Sequence, residues 1–376
     1  MDILDIAAAD REDPVQQLLV LAGLDADPAR RPPLLDLIYR QIPVDTKEDA
    51  ALLASTAGAY VTATAEEFGR QRSVTVEAQL LYAMIDSFAS YKEQFGGGHA
   101  RAVPAAYTAD DVGRLLTSLV RPPVRTDVMI AVGQLAHLMG DMTADAGHHG
   151  LAQRYYLLAS GIAVKEGDRR GRAIALRAMS VQAASLEVPR YAADLADAAV
   201  DVAGTLDDGD LRAFLLAQRA YARTLVRDAP GAIEDLAAAE RALDGTTGGA
   251  GPFTSYPRAG LAYQQGMTLH ALGDRAGAVA AFSRAVQWRA PHERRLRALT
   301  QARLADVLLD LGRVEEACVH ASAFADDYPF LHSHGAILAI GRIRSRFATF
   351  LKVQRAAAVY ERLTELEEAL RSRVGQ

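Results

Sequence analysis

His137, Asp141 and Asp145 stand four residues apart along a run whose apolar pattern predicts one helix. Residues at i, i+4 and i+8 share a helix face, so an imidazole and two carboxylates would point the same way. Such a set suits a divalent cation or a proton transfer, and His148 and His149 follow in the next turn. A metal site is usually completed from a second element, and the sequence names none. Asp145 is therefore read as an acidic residue near a helix end or paired with Arg154, and no metal or cofactor is assigned. His332-x-His334, after Tyr328-Pro329-Phe330, could bind a metal or titrate near neutrality, but a cap at a loop or helix start is the expectation.

Other chemistry is excluded more directly. The single cysteine, Cys318, rules out an internal disulfide and a cysteine-built zinc site. Within Glu315-Glu316-Ala317-Cys318-Val319 it reads as a small buried hydrophobe. No Gly-x-Ser-x-Gly elbow occurs. Gly96-Gly97-Gly98 lacks the Lys-Ser/Thr that completes a phosphate loop. Trp288 reads as the end of a helix or, alternatively, as an exposed interface anchor. No reaction is specified, and the balance leans away from an enzyme.

The elements that carry these residues are helical throughout. Of 376 residues, 50% are hydrophobic but only 6% aromatic, so alanine and leucine fill the apolar positions and favour closely packed helices. Val15–Leu21 has helical spacing and is broken at Asp27-Pro28; Pro32-Pro33 opens a second helix through Leu34, Leu35, Leu37 and Ile38. A third is expected from Lys47 to Phe68, and another over 73–94 with Val76, Leu80, Leu81, Met84, Ile85 and Phe88 on one face. The three glycines at 96–98 end it. Asp110-Asp111 is expected to begin the next, which stops before Pro122-Pro123.

A repeat then begins. Gly140-x6-Gly147-x4-Ala152-x3-Tyr156-x2-Ala159 returns as Gly266-x6-Gly273-x4-Ala278-x3-Phe282-x2-Ala285, and in part as Ala305-x6-Gly312-x4-Ala317. Weaker copies align on Ser180 and Ala220. The anchors Gly140, Ser180, Ala220, Gly266 and Ala305 are 40, 40, 46 and 39 residues apart, the spacing of stacked helical hairpins. The glycine-rich loop 245–252 accounts for the long interval, and a polar terminal helix over 353–373 suits a cap. The organisation expected is an acidic N-terminal helical region over 1–70, a helical segment over 71–129, and repeats with a capping helix over 130–376.

The frame is similar to the tetratricopeptide consensus, with longer helices. The Phe95–Arg101 turn, Leu135–Gly140, Asp145–Tyr156, the Gly312–Ala317 hairpin and Ile343–Arg346 together resemble the sensor region of actinobacterial helix-turn-helix regulators of the XRE-like type. The resemblance covers about 70–350. It implies an all-α, tetratricopeptide-like helical-hairpin solenoid with an N-terminal helical extension, whose first helices line a concave groove. Counting from the anchors, the groove candidates are His137, Asp141, Arg177, Tyr221, Tyr263, Met267, His270 and Asp306, a mixture that suits a peptide, a protein or a polar small molecule.

The chain departs from those regulators at its start. Residues 1–70 hold thirteen Asp/Glu against six Lys/Arg, and no Lys or Arg occurs between Lys47 and Arg70 to meet phosphates. With a net charge of −6, direct DNA binding is not expected, although Leu53–Thr62 distantly resembles a helix-turn-helix turn. The acidic Met1–Asp5 lacks the basic region of a signal peptide, and charge interrupts every apolar stretch before it could span a bilayer. A cytoplasmic protein with no membrane contact is expected. The reading is a non-enzymatic regulator that senses a ligand in its groove, with a homodimer possible. The alternatives are an enzyme centred on His137, Asp141 and Asp145, or a transcription factor reading DNA through residues 45–70.

Overall fold

Several helices in this chain begin where an aspartate takes up an orphan N–H group of the first turn. Asp168 accepts from the Gly171 N–H at 2.9 Å, Asp208 from Leu211 at 2.9 Å and Asp274 from Gly277 at 2.8 Å. Several end two residues before a left-handed backbone position, filled by Gly147, Gly167, Gly273 and Gly312 and also by Glu187 and Arg227. The computed structural model describes residues 13–43, 75–118, 122–204, 206–244 and 256–374. Among these, all regular structure is helical, and no helix is long and apolar enough to cross a membrane.

In chain order these are α1 (Pro14–Ala26), α2 (Pro32–Leu35), α3 (Val76–Phe95), α4 (Ala102–Tyr107), a π turn (Thr108–Val112) and α5 (Gly113–Ser118). Then come α6 (Pro122–Asp145), α7 (His149–Lys165), α8 (Arg169–Ser185), α9 (Pro189–Ala203), α10 (Gly209–Leu225) and α11 (Ala229–Asp244). The last six are α12 (Arg258–Ala271), α13 (Arg275–Trp288), α14 (Arg294–Asp310), α15 (Val314–Asp327), α16 (His334–Phe347) and α17 (Gln354–Val374).

Two expectations are corrected. The second helix stops at Leu35, and residues 37–43 run in no regular structure because side chains of α7 and α9 take up their backbone groups. The helix expected to start at Asp110 already starts at Ala102. The Thr108 hydroxyl donates to the Pro104 carbonyl at 2.7 Å, a back-bond that competes with the ladder where the π turn begins. The helix expected over 47–68 lies outside the described residues.

The chain divides into two compact units. Unit 1 takes the described residues up to Phe88, Ala100–Ala144 and His148–Asp207; unit 2 takes Ala89–His99, Asp145–Gly147 and the described residues from Asp208 onward. In unit 1 the hairpins α6–α7 and α8–α9 form the repeats, and α1 packs on α4, the π turn and α7. A buried carboxylate fixes that extension: Asp25, 1% exposed, accepts from Arg101 at 2.6 Å and from the Tyr155 hydroxyl at 2.8 Å. Unit 2 holds the hairpins α10–α11, α12–α13, α14–α15 and α16–α17, around a core that includes Phe282, Leu308, Phe324, Ile340 and Phe347.

The repeat anchors mark where the two helices of a hairpin touch. A Cβ on Gly140 would lie 2.6 Å from the Tyr156 ring, and one on Gly266 would lie 2.6 Å from the Phe282 ring. At the corresponding place the Ser180 hydroxyl donates to the Ala192 carbonyl at 2.7 Å, and Ala220 and Ala305 are fully buried.

Three glycine-to-alanine changes separate the forces at work. Gly266→Ala should cost about 1–3 kcal/mol, because a well-packed ring must move. Gly273→Ala, at φ +87° with open space around it, should cost about 1–2 kcal/mol from left-handed strain alone. Gly341→Ala, inside α16 with nothing within 4 Å, should stabilise by about 0.5–1 kcal/mol. Urea unfolding measures all three, and a neutral Gly266→Ala would contradict the packing described.

Candidate ligand-binding face

The three residues at i, i+4 and i+8 on α6 do not act together. His137, 7% exposed, stacks on the Tyr156 ring with centroids 5.6 Å apart, and its Nε2 is 3.8 Å from Asp141 Oδ1. That carboxylate oxygen accepts the Tyr156 hydroxyl at 2.8 Å. His137 and Asp141 thus surround the aromatic that packs on Gly140.

Asp145 is drawn elsewhere, into unit 2. It accepts from the Gly97 N–H at 2.7 Å, the Ser333 hydroxyl at 2.8 Å and Arg295 Nη1 at 3.2 Å, while Arg295 Nη2 reaches Glu93 at 3.0 Å. Asp145 stands at the end of α6, as one of the two expectations had it; its partner is Arg295 and not Arg154, the other expectation, because three elements far apart in the chain converge there. Among the described residues, no three His, Cys, Asp or Glu side chains converge so as to hold a metal ion.

His332 and His334 flank the true cap, Ser333, whose hydroxyl accepts from the Ala336 N–H at 3.4 Å. The backbone of His332 pairs with the glycine turn, its N–H donating to the Phe95 carbonyl at 2.6 Å and its carbonyl accepting from Gly98 at 2.8 Å. A Cβ on Gly96 would lie 2.6 Å from that carbonyl, which accounts for the glycines there. Cys318 is buried in the unit 2 core, and burial pushes its thiol up. Trp288 ends α13 and is exposed.

The remaining candidates divide between the units. Arg177 is half-buried on α8 in unit 1. Tyr221, Tyr263, Met267, His270 and Asp306 belong to unit 2, on the first helices of three successive hairpins, α10, α12 and α14. There Tyr221, Tyr263 and Arg303 come within electrostatic reach of one another, and Arg303 hydrogen-bonds Tyr263. Burial raises the Tyr221 phenol above its ordinary value, and the Arg303 charge partly offsets this. Burial also opposes the Arg303 charge, but the nearby Asp306 carboxylate and the hydrogen bond to Tyr263 favour it, so the guanidinium is held above its ordinary value. Arg289 stands 5.9 Å from the Tyr263 ring centroid, close enough for a cation–π contact. Met267 packs against the core.

Polar pairs tie neighbouring first helices together along the same face. The Gln264 amide donates to Gln218 at 3.0 Å, His270 meets Asp310 at 2.9 Å, and Arg342 and Arg346 reach back to Asp306 and Asp310. Asp306 is 4% exposed and serves as a structural acceptor. Gln218, Gln264 and Arg303 were missed as candidates. The signal was available: each stands two residues before an anchor, at Ala220, Gly266 and Ala305.

Compared with protein-family models and with curated proteins, the chain matches none. Among solved structures it is similar to a crystal structure of Rap protein complexed with competence and sporulation factor. The TM-score is 0.40 and the identity 14%, over 78% of this chain and 99% of that one. A likeness at that level carries no further argument.

Two substitutions test these contacts. Asp145→Ala leaves Arg295 facing Glu93 without its second carboxylate, and should cost about 3–5 kcal/mol in urea unfolding; a loss below about 1 kcal/mol would contradict the buried junction. Asp310 is raised by burial but lowered further by hydrogen bonds from His270 and Arg346, leaving it below the ordinary carboxylate value. Its stabilisation is therefore complete above the unfolded-state value of about 4 and lost as pH falls through the lower folded-state value. Asp310→Asn should be less stable than the parent at pH 6, and that gap should close as the solution is acidified below about pH 4.

Proposed function

We propose that this protein is a regulatory binding protein, acting in the cytoplasm without catalysis, whose ligand is a peptide with a carboxylate held on the first-helix face of unit 2. The observation that carries the reading is the half-buried cluster of Tyr221, Tyr263 and Arg303, one from each of three successive hairpins, with the buried Gln218–Gln264 pair tying α10 to α12. Arginine offers a planar fork for a carboxylate, and tyrosine faces supply contact area at little entropic cost. The similarity of the sequence to sensor regions of helix-turn-helix regulators supports a regulatory role. Met267, His270 and Asp306, also in unit 2, belong to the same proposal as packing and orienting groups, while His137, Asp141 and Arg177 are proposed to line the corresponding first-helix face of unit 1.

The mechanism proposed is a shift in population. A ligand spanning α10, α12 and α14 binds best to one mutual packing of those helices, and so favours it over others. Any second surface built from the same hairpins, a homodimer contact or a partner site, is then coupled to occupancy.

Selection of a random heptapeptide library on the immobilised full chain tests this. Enrichment of acidic peptides, lost at least tenfold in Arg303→Met and in Tyr221→Ala with helicity and thermal midpoint preserved, is the expected outcome. Equal enrichment on the parent and both variants would contradict it.

A further inference from the structure

Residues 37–43 are held through their backbone, and the groups that hold them belong to α7 and α9 of unit 1. Gln153, 3% exposed, uses both halves of its amide on one residue: Oε1 accepts from the Arg40 N–H at 3.1 Å, and Nε2 donates to the Arg40 carbonyl at 2.5 Å. Tyr191, 9% exposed, does the same two residues on, its hydroxyl accepting from the Ile42 N–H at 3.2 Å and donating to the Ile42 carbonyl at 2.8 Å. His148 hydrogen-bonds the Leu35 backbone. A Cβ on Gly150 would lie 1.8 Å from the Leu37 oxygen, so only glycine admits the chain there.

These contacts recur at alternate residues, the period of an extended chain, and none involves the side chain of Arg40 or Ile42. They read main chain, as proteins that capture extended peptides do. Specificity comes from the side chains that turn inward: Leu37, Tyr39 and Ile42 are half-buried, whereas Ile38, Arg40, Gln41 and Pro43 are exposed. The fit is imperfect at one place. The Tyr39 hydroxyl is buried with no hydrogen-bond partner among the described residues, which weakens the hold of the segment.

We propose that this surface of α7 and α9 is a binding track for an extended peptide, and that residues 37–43 occupy it as a built-in occupant which a better peptide displaces. The ligand class is an extended segment with an aliphatic residue, an aromatic residue two positions later and an aliphatic residue three beyond that. Phenylalanine is preferred at the aromatic position, since it leaves no hydroxyl unpaired. The track lies in unit 1 and is independent of the carboxylate-bearing ligand proposed for unit 2, so either proposal can fail alone.

The test uses a fluorescein-labelled synthetic peptide of residues 36–43, titrated into the full chain and into Arg40→Pro/Ile42→Pro, in which both N–H donors of the occupant are removed. The probe should bind the proline variant at least tenfold more tightly than the parent. A probe carrying Tyr39→Phe should bind about tenfold more tightly again, and adding Gln153→Ala to the proline variant should weaken binding at least tenfold. Should the proline variant lose its helical circular dichroism, Leu37→Ala/Tyr39→Ala serves as the released chain with the same outcomes expected. Equal affinity for parent and released chain, no binding to a folded released chain, or indifference to Gln153→Ala would each overturn the proposal.

Discussion

The close approach of two helices at a small residue governs this molecule. At Gly140 and Gly266 the second helix brings an aromatic ring to where a Cβ would be, and at Ser180 a hydroxyl bonds across the same narrow gap. Helices that meet this closely exclude large side chains from the contact and bury alanines in their place, which is why a chain with few aromatic residues still packs a core in each unit. The same contact fixes the rotation of each first helix. Once the anchor faces inward, the residues two before it and one after it turn toward the neighbouring hairpin, where Gln218 and Gln264 pair in the buried contact and Arg303 and Tyr221 stay half-buried.

That constraint also explains what the sequence could reveal. The hairpin frame was legible because Gly-x6-Gly-x4-Ala combines a steric requirement, a left-handed turn and a second contact at fixed spacing. The turn itself is less selective than the anchor, since Glu187 and Arg227 take the left-handed position without being glycine. Tertiary partners were not legible. Asp145 pairs with Arg295, 150 residues away, and no local pattern points to it. Leu37 and Ile38 fall at helical spacing after Leu34, yet the chain there is not helical: Gly150 leaves room for the Leu37 carbonyl, and Gln153 and Tyr191 hold the backbone just beyond, at Arg40 and Ile42. Arg303 lay in plain view two residues before its anchor and emerges only when the repeats are compared position by position.

The polar groups of the structure separate into two kinds. Asp25 and Asp306, both buried, and the half-buried Asp145 are acceptors whose arginine or hydroxyl partners are already in place, and they join elements that packing alone would leave loosely registered. Gln153, Tyr191, Tyr221 and Arg303 are different, being side chains suited to meet another chain's backbone or carboxylate. In unit 1 such groups already hold an extended segment, and this gives physical content to the idea that helical hairpins here exist to hold peptide. Buried amides aligned with a backbone are costly to maintain unless the backbone is present, so a track of this kind is expected to be filled, by the chain itself or by a ligand.

The claim at the centre of this account is that paired helices read an extended main chain through Gln153 and Tyr191. Residue-resolved amide hydrogen exchange on the unmodified protein measures it most directly. The account predicts slow exchange at Arg40 and Ile42, with Ile38 and Gln41 between and beside them exchanging near the rate of open chain. Uniformly fast exchange across all four would contradict it.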